Sequence, residues 1–497
     1  MILQRYFFMG VLALIFYYLF VLQVQAIWPF TIDDMYIPLR YAKHWAAHQG
    51  IVWNIGEPPV EGYSNFLFVI SARWALFWHL DPVVILKSLG GVGLLGTCVG
   101  VYLLARTWFL PRVALIPCIW LLAYKGQIIW SVSGLETTIY EAVICFTVFF
   151  IFKGLGYTLS PLEKGVDRPW YYVYAGIGLS FAGIIRPEAP ALALLFIFLL
   201  MNQRKAWVLI VTVLVCFAPY FLWRWHYFGR FLPNSVYCKG FEEWLSNPLD
   251  KAYCQLIWPF ALLSLWAFRD NRDRRFYLLL LPSVVYLFLL MGASPLVAFE
   301  NRLFLPAFVL MLPLALKGLD GLLGSFKSDV TIYIGSAMIL FLCIPTLSLS
   351  QYRYFTVAPL AGERVRAQVL SWLSHHGSSS WRVVLADSGF IPYHSNLQFI
   401  DSYCLNNARM GEQPSAKRAQ FVCEDALQQG ASVIILTAER AEGILTYTPA
   451  DVCFLEKLAG NSGYCRIAVF KTGDMQSGYQ YEIFSKSKKS CSKMQQG

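Results

Sequence analysis

Ionisable residues in this chain gather in short clusters between long apolar runs, and their types complement one another. Asp33 and Asp34 lie in Trp28-Pro-Phe-Thr-Ile-Asp-Asp-Met-Tyr-Ile-Pro-Leu-Arg40-Tyr-Ala-Lys43. The other clusters are Glu61-Gly-Tyr-Ser-Asn65, Gly134-Leu-Glu136-Thr137, Arg186-Pro-Glu188, Pro233-Asn234-Ser-Val-Tyr-Cys-Lys239 and Glu300-Asn-Arg302. The carboxylates Asp33, Asp34, Glu61, Glu136, Glu188 and Glu300 can act as a general base, bind sugar hydroxyls or hold a metal. The cations Arg40, Arg186, Lys239 and Arg302 suit a phosphate or pyrophosphate. If 33–41 is helical, Asp33 and Arg40 share a face and Asp34 points elsewhere.

Each cluster taken singly also has a structural reading. The acidic pair can cap a helix after a Trp-Pro break. Glu136 can complement a helix N-terminus, and Arg186-Pro-Glu188 can be a kink with an internal ion pair. Lys239 and Arg302 can anchor helix ends by snorkelling. The seven histidines have no ligand spacing, and no CxxC pair or His cluster has zinc spacing. What favours function is the set.

The elements that hold the clusters follow from composition. The 497 residues are 57% hydrophobic, 16% aromatic and only 14% charged, against about 25% charged in an average soluble protein. A single soluble globule, a disordered chain and a coiled coil are all excluded. A spanning helix needs roughly 20 apolar residues, and such stretches recur near 6–27, 84–105, 112–128, 136–153, 170–186, 189–201, 206–223, 254–268, 276–292, 302–317 and 331–349. The first reads as an uncleaved anchor, being longer than a signal-peptide core. The segment 64–80, with Arg73, Trp74, Trp78 and His79, reads as an amphipathic helix in the membrane interface.

About eleven spans with the N-terminus inside place a basic cluster at 269–275 on the inner side, as the positive-inside rule requires. The same topology puts all six polar clusters on the outer face. The net charge of +10 then divides between inner-loop cations that orient the helices and a smaller outer set mixed with acids, so it does not mark a nucleic-acid partner. Beyond residue 350 the pattern changes. Short β-rich runs at 382–386, 397–400, 432–436 and 466–470 alternate with polar helical stretches such as 363–375, which predicts a small extracytoplasmic α/β domain. The expected organisation is therefore a membrane region 1–349 with a first outer loop at 28–83, an outer domain at 350–485 and a tail at 486–497. In an oxidising compartment Cys453–Cys465 is an expected disulfide and Cys404–Cys423 a second.

The ordered motifs Asp-Asp-x-Tyr-Ile-x-x-Arg-Tyr-Ala, Glu-Gly-Tyr-Ser-Asn-Phe-Leu, Gly-Leu-Glu-Thr, Arg-Pro-Glu and Tyr-Phe-Gly-x-x-x-Pro-Asn-Ser-x-Tyr-x-Lys resemble those of bacterial GT-C membrane glycosyltransferases. Within that class they look most like the mycobacterial terminal arabinofuranosyltransferase (AftB-like) group, and like proteins of the LphB type. The outer stretch Ala386-Asp-Ser-Gly-Phe-Ile-Pro-Tyr-His-Ser395 is similar as well. Two departures stand out. Ala189 follows Arg186-Pro-Glu188 where the family pattern has Gly, and the surroundings of Glu300-Asn-Arg302 are less typical.

The resemblance implies a multi-pass protein of a bacterial inner membrane with a periplasmic C-terminal domain. It implies a polyprenyl-phosphate sugar as donor, a glycan or glycolipid of the envelope as acceptor, and catalysis by the acidic pair. Single inverting displacement needs a base on the acceptor hydroxyl and cations on the departing phosphate. Asp33 is the first choice of base and Asp34 the second. Arg40, Arg186, Lys239 and Arg302 are the expected phosphate ligands, and Glu61, Asn65, Glu136, Glu188 and Asn234 the residues that shape the sugar pocket. No cofactor is required, although the chemistry leaves room for a divalent ion. The rival readings are a transporter or flippase of a lipid-linked sugar and a non-catalytic envelope assembly protein.

Overall fold

The computed structural model describes residues 17–159, 165–238, 248–268, 273–291, 300–324, 329–343, 349–441, 443–459, 463–472 and 478–486. Lys239 and the tail expected at 486–497, except for its first residue, lie outside them. The chain forms two compact units: Met1–Pro29, Leu86–Leu222 and Phe241–Tyr354 in the first, and Phe30–Ile85, Trp223–Gly240 and Phe355–Gly497 in the second.

The first unit is helical. Pro82–Arg106, Thr137–Gly154, Trp207–Phe228 and Arg302–Leu323 are long and apolar enough to cross a membrane. Among the described residues five further apolar helices run 10–17 residues, four of them in this unit, such as Ala189–Leu200 and Tyr253–Phe268, and Phe66–Phe77 in the other. Among the described residues, length and composition therefore establish four spans, or five if one bent pair is a single span, and the expected count of about eleven requires the shorter helices to cross as well. Helix Leu305–Leu323 is almost wholly buried, whereas Leu194, Phe198, Leu214, Val215 and Phe288 are exposed as lipid-facing side chains would be. The molecule is a multi-pass membrane protein.

One expected span is broken. Ile116–Ala123 and Lys125–Val132 meet at Tyr124 with a bend of 70°, because Tyr124 is extended at ψ 114°. Gly126 lets the chain at Glu300 approach, since a Cβ there would lie 2.7 Å from the Glu300 carbonyl. A second junction falls where a break or bend was expected: Pro169–Ile185 stops at Arg186, whose backbone is extended (φ −145°, ψ 140°), before Ala189–Leu200 begins.

The second unit is built on a mixed sheet of β1 (Arg382–Leu385), β2 (Gln398–Asp401), β3 (Val433–Ala441), β4 (Ile444–Tyr447), β5 (Cys465–Lys471) and β6 (Gly478–Ser485). Its order is β2-β1-β3-β6-β5, with β4 hydrogen-bonded to β3. β1 pairs in parallel with β2 and β3, while β6 runs antiparallel between β3 and β5. Val383, Val384, Leu385, Ile434, Ile435 and Leu436 form the buried centre, a continuous β-branched and leucine pattern that suits strands covered on both faces. The sequence reading found β1, β2, β3 and β5 but not β4 or β6.

Residues from the earlier loops belong to this same unit. Asp33–Met35 is a short 3-10 turn leading into helix Tyr36–Ala46, and Phe66–Phe77 is the helix expected at the membrane interface. Ile70, Trp74, Phe77 and Trp78 are exposed on it, while the Arg73 guanidinium stacks 4.5 Å from the Trp45 ring. The disulfides differ from expectation. Cys238 pairs with Cys404 and Cys423 with Cys453, and Cys465 is also disulfide-bonded. Spacing across a turn misled for Cys453, because that residue sits on helix Pro449–Ala459, which packs beside helix Ser415–Gln428 carrying Cys423.

Candidate functional site

In the first unit the structure gathers Glu136, Arg186, Glu188 and Arg302. Gly134 takes φ +78°, a conformation open to glycine at little cost, and so turns the chain into helix Thr137–Gly154. That helix is held close to Pro82–Arg106 by small residues: a Cβ on Gly93 would lie 2.4 Å from the Ile139 nitrogen. Across the same contact the Thr138 hydroxyl donates to the Gly90 carbonyl at 2.6 Å and the Thr97 hydroxyl to the Thr138 carbonyl at 3.0 Å. Glu136 is thereby fixed at the helix start. Its Oε1 accepts from Arg186 Nη1 at 2.9 Å and Arg302 Nη2 at 3.3 Å. Arg186 also holds Glu188, from Nη2 at 2.5 Å and from Nε at 3.2 Å. Arg302 donates to the Thr137 hydroxyl at 3.4 Å and lies over the Trp130 ring at 5.1 Å.

Arg302 is aimed by a strained turn. Glu300 and Asn301 have φ of 49° and 58°, a left-handed pair that L-residues adopt at a cost of roughly 1–2 kcal/mol each. Side chains at the helix break hold them there. Lys125 pairs with Glu300 at 3.1 Å, and Asn301 Nδ2 donates to the Tyr124 hydroxyl at 2.7 Å. Two buried guanidiniums share one carboxylate oxygen and a second carboxylate holds Arg186, so the cluster is neutral in sum and offers directed N–H donors rather than an excess of positive charge. Lys125 could have been suspected from sequence, since it is a charge inside the stretch read as span 112–128.

In the second unit Asp33 sits at the N-terminus of the short helix Phe390–His394. Its Oδ2 accepts from the Gly389 N–H at 2.8 Å and its Oδ1 from the Phe390 N–H at 2.9 Å. Arg366 Nε lies 3.3 Å from Asp33 and 2.9 Å from Asp387, and the Tyr481 hydroxyl donates to Asp387. Burial pushes the Asp33 carboxyl up to about 7, with Arg366 opposing and Asp387 adding to the rise. Asp387 was visible within a quoted motif. Arg366 and Tyr481 had no sequence signal beyond lying in a polar helix and a missed strand.

Arg40 is not placed as an anion ligand. Its guanidinium donates to the carbonyls of Trp53 at 2.8 Å and Leu397 at 3.0 Å and to that of Pro392, and to Asn54 Oδ1 at 3.3 Å. It lies between the rings of Trp53 and Phe399, and burial lowers its pKa to about 9. Arg40 therefore pins the loop at 392–397 to the segment at 40–54, and these bonds occupy the guanidinium for which a phosphate role was expected.

Asn234 is likewise a cross-link. Its amide nitrogen donates to the carbonyls of Cys404 and Leu405, each at 2.9 Å, while its oxygen accepts from Arg230 at 2.7 Å. Its backbone N–H donates to the Glu61 carbonyl at 2.9 Å. Glu61 faces Arg224 at 3.3 Å, and burial pushes its carboxyl up to about 8. Asn65 is buried at the start of helix Phe66–Phe77, and Asp34 is half-buried in the turn that carries Asp33. Among the described residues no group of three or more His, Cys, Asp or Glu side chains is arranged to hold a metal ion.

By sequence, residues 351–484 match a family model described as a domain of unknown function (DUF8728), and no curated protein matches the chain. By structure the chain is similar to ArnT from Cupriavidus metallidurans bound to undecaprenyl phosphate, at TM-score 0.58 and 13% identity over 97% of this chain and 99% of that one. It is similar to the oligosaccharyltransferase of Archaeoglobus fulgidus at TM-score 0.54 and 11% identity, covering 89% of this chain and 76% of that one. It is also similar to the arabinofuranosyltransferase AftD from Mycobacteria at TM-score 0.50 and 13% identity, covering 94% of this chain but 39% of that much longer one. The fold is the one these GT-C membrane glycosyltransferases share.

Proposed function

We propose that the protein is a glycosyltransferase that moves a sugar from a polyprenyl-phosphate donor to a glycan or glycolipid acceptor of a bacterial envelope, on the periplasmic face, by single inverting displacement. The observation that carries this reading is the buried Arg186–Glu136–Arg302 arrangement in a GT-C fold, because a departing lipid phosphate needs preorganised cations in a water-poor setting. Arg186 and Arg302 are the described phosphate ligands and Lys239 a third from the sequence. Glu188 holds the Arg186 plane, and Glu136 keeps the two guanidiniums at a shared edge.

The acidic pair supplies the base, and the order of its members reverses. Asp33 spends both oxygens on the N–H groups of Gly389 and Phe390, so it anchors the turn, and Asp34 takes the acceptor proton. Glu61, Asn65 and Asn234 are the proposed residues of the sugar pocket. Arg40 is left out of the donor site. The disulfides of the second unit support an oxidising, periplasmic surrounding.

Arg302→Gln tests the reading. Transfer from a polyprenyl-phosphate sugar should fall about 10²–10³-fold while the protein still inserts and binds the lipid more weakly. Unchanged transfer would remove Arg302 from the donor site, and absence of transfer by the wild type with intact lipid translocation would favour the flippase reading.

A further inference from the structure

Near the Arg186 cluster lie two phenols whose hydroxyls have no hydrogen-bond partner among the described residues. Tyr140 is one turn along helix Thr137–Gly154 from Glu136, and Tyr286 is in the last turns of helix Arg274–Leu290. Both are buried, at 0% and 1% exposure, and neither hydroxyl has a hydrogen-bond partner among the described residues. The rings approach to 6.1 Å. The Arg186 guanidinium lies 5.8 Å from the centre of the Tyr140 ring, and both tyrosines interact electrostatically with Arg186 and Glu188.

A buried hydroxyl without a partner is costly and calls for an explanation. Two of them with rings 6.1 Å apart, one 5.8 Å from the Arg186 guanidinium, are more than an accident of packing, because phenylalanine would fill the same space without an unpaired donor. The neighbouring chemistry says what they await. A phenol O–H donates well to an anionic oxygen, and Arg186 is already shared between Glu136 and Glu188, so an arriving phosphate gains fewer bonds from it than a free guanidinium would give.

We propose that the Tyr140 and Tyr286 hydroxyls are additional ligands for the phosphate of a lipid-phosphate donor, completing the oxyanion site that Arg186 begins. This rests on the donor-site reading above. The site takes a phosphate monoester or diester carrying an apolar chain rather than free phosphate, since both hydroxyls sit on apolar helices. They act by binding the phosphate oxygens, so they stabilise the charge that grows there when the sugar leaves.

The test uses the full-length protein in nanodiscs, with undecaprenyl phosphate, undecaprenol and inorganic phosphate as probes. In Tyr140→Phe and Tyr286→Phe the ligand-free protein should melt no lower than the wild type, because no bond within the fold is removed. Each should bind undecaprenyl phosphate about tenfold more weakly and undecaprenol unchanged. Wild-type affinity for undecaprenyl phosphate in both variants would overturn the proposal, as would an equal loss for undecaprenol, which would place the hydroxyls against the chain. Inorganic phosphate should compete poorly, and competition equal to that of the lipid would overturn the lipid source. If the wild type itself does not prefer undecaprenyl phosphate to undecaprenol, the donor-site reading fails rather than this refinement alone.

Discussion

Asp33 and Asp34 look equivalent in the sequence, and the structure shows what Asp33 holds. Asp33 accepts two backbone N–H bonds at the start of helix Phe390–His394 and pairs with Arg366. Asp33→Ala removes a helix cap and leaves Arg366 with fewer carboxylates, so it should cost about 2–4 kcal/mol of stability. Asp34→Ala should lower transfer about 10²–10⁴-fold. Thermal unfolding and transfer measured on both variants check this, and the opposite pattern would return the base role to Asp33. His44 gives a second expectation. Burial, with Arg40 and Lys43 adding, lowers its pKa to about 4, and its Nδ1 donates to the Val52 carbonyl at 2.9 Å. The unfolded chain then binds more protons between its ordinary value near 6.5 and 4, so stability is lost as pH falls through that window. His44→Asn should flatten the melting-temperature profile there.

At this scale the sequence displayed the carboxylates and cations that the structure gathers around Arg186, because a charge beside an apolar run stands out. It gave no sign of the partners of Arg40 and Asn234, which include carbonyls at 392–407 more than 150 residues away in the chain, because a guanidinium or amide looks the same in sequence whether it faces a ligand or a carbonyl. Tyr140 and Tyr286 were invisible for a related reason: a tyrosine in an apolar span reads as core until its hydroxyl is seen to lack a partner.

The elements matter through where they stop. The C-terminal end of Pro169–Ile185, the N-terminal end of Thr137–Gly154 and the turn before Leu305–Leu323 each deliver one member of the Arg186 cluster, and the 70° break at Tyr124 supplies the groups that hold the strained pair Glu300-Asn301. Close helix packing sets the register of Glu136. Gly93→Val should push Thr137–Gly154 away from Pro82–Arg106, costing about 1–3 kcal/mol and lowering transfer with it. Stability read by unfolding in detergent, together with wild-type transfer, would contradict this dependence. Apolar periodicity located most of these helices, but hydropathy averages over a window and passes smoothly across a single extended residue such as Tyr124. Strand β6 was missed for another reason: Gly478-Tyr-Gln-Tyr-Glu-Ile-Phe-Ser485 mixes polar and aromatic residues, and only pairing on both sides with β3 and β5 makes it a central strand.

For the whole molecule, the sequence separated membrane helices from a C-terminal sheet by composition alone. The compact units are drawn differently, because Phe30–Ile85 and Trp223–Gly240 fold with the sheet, and no composition change marks tertiary association. Cys238–Cys404 ties one of those segments to the sheet across 166 residues. Cys404→Ser should therefore lose about 2–4 kcal/mol, seen as faster proteolysis of the second unit, and wild-type resistance would show the bridge to be dispensable. The fold is common to enzymes that use lipid-linked sugars, yet a fold does not fix an activity. The most direct test reconstitutes the purified protein in liposomes with a polyprenyl-phosphate sugar labelled in the sugar and a crude envelope glycolipid extract as acceptor. Appearance of label on the acceptor with stoichiometric release of polyprenyl phosphate is the predicted result. Label that stays on the polyprenyl lipid, whether bound or moved across the bilayer, would contradict the account.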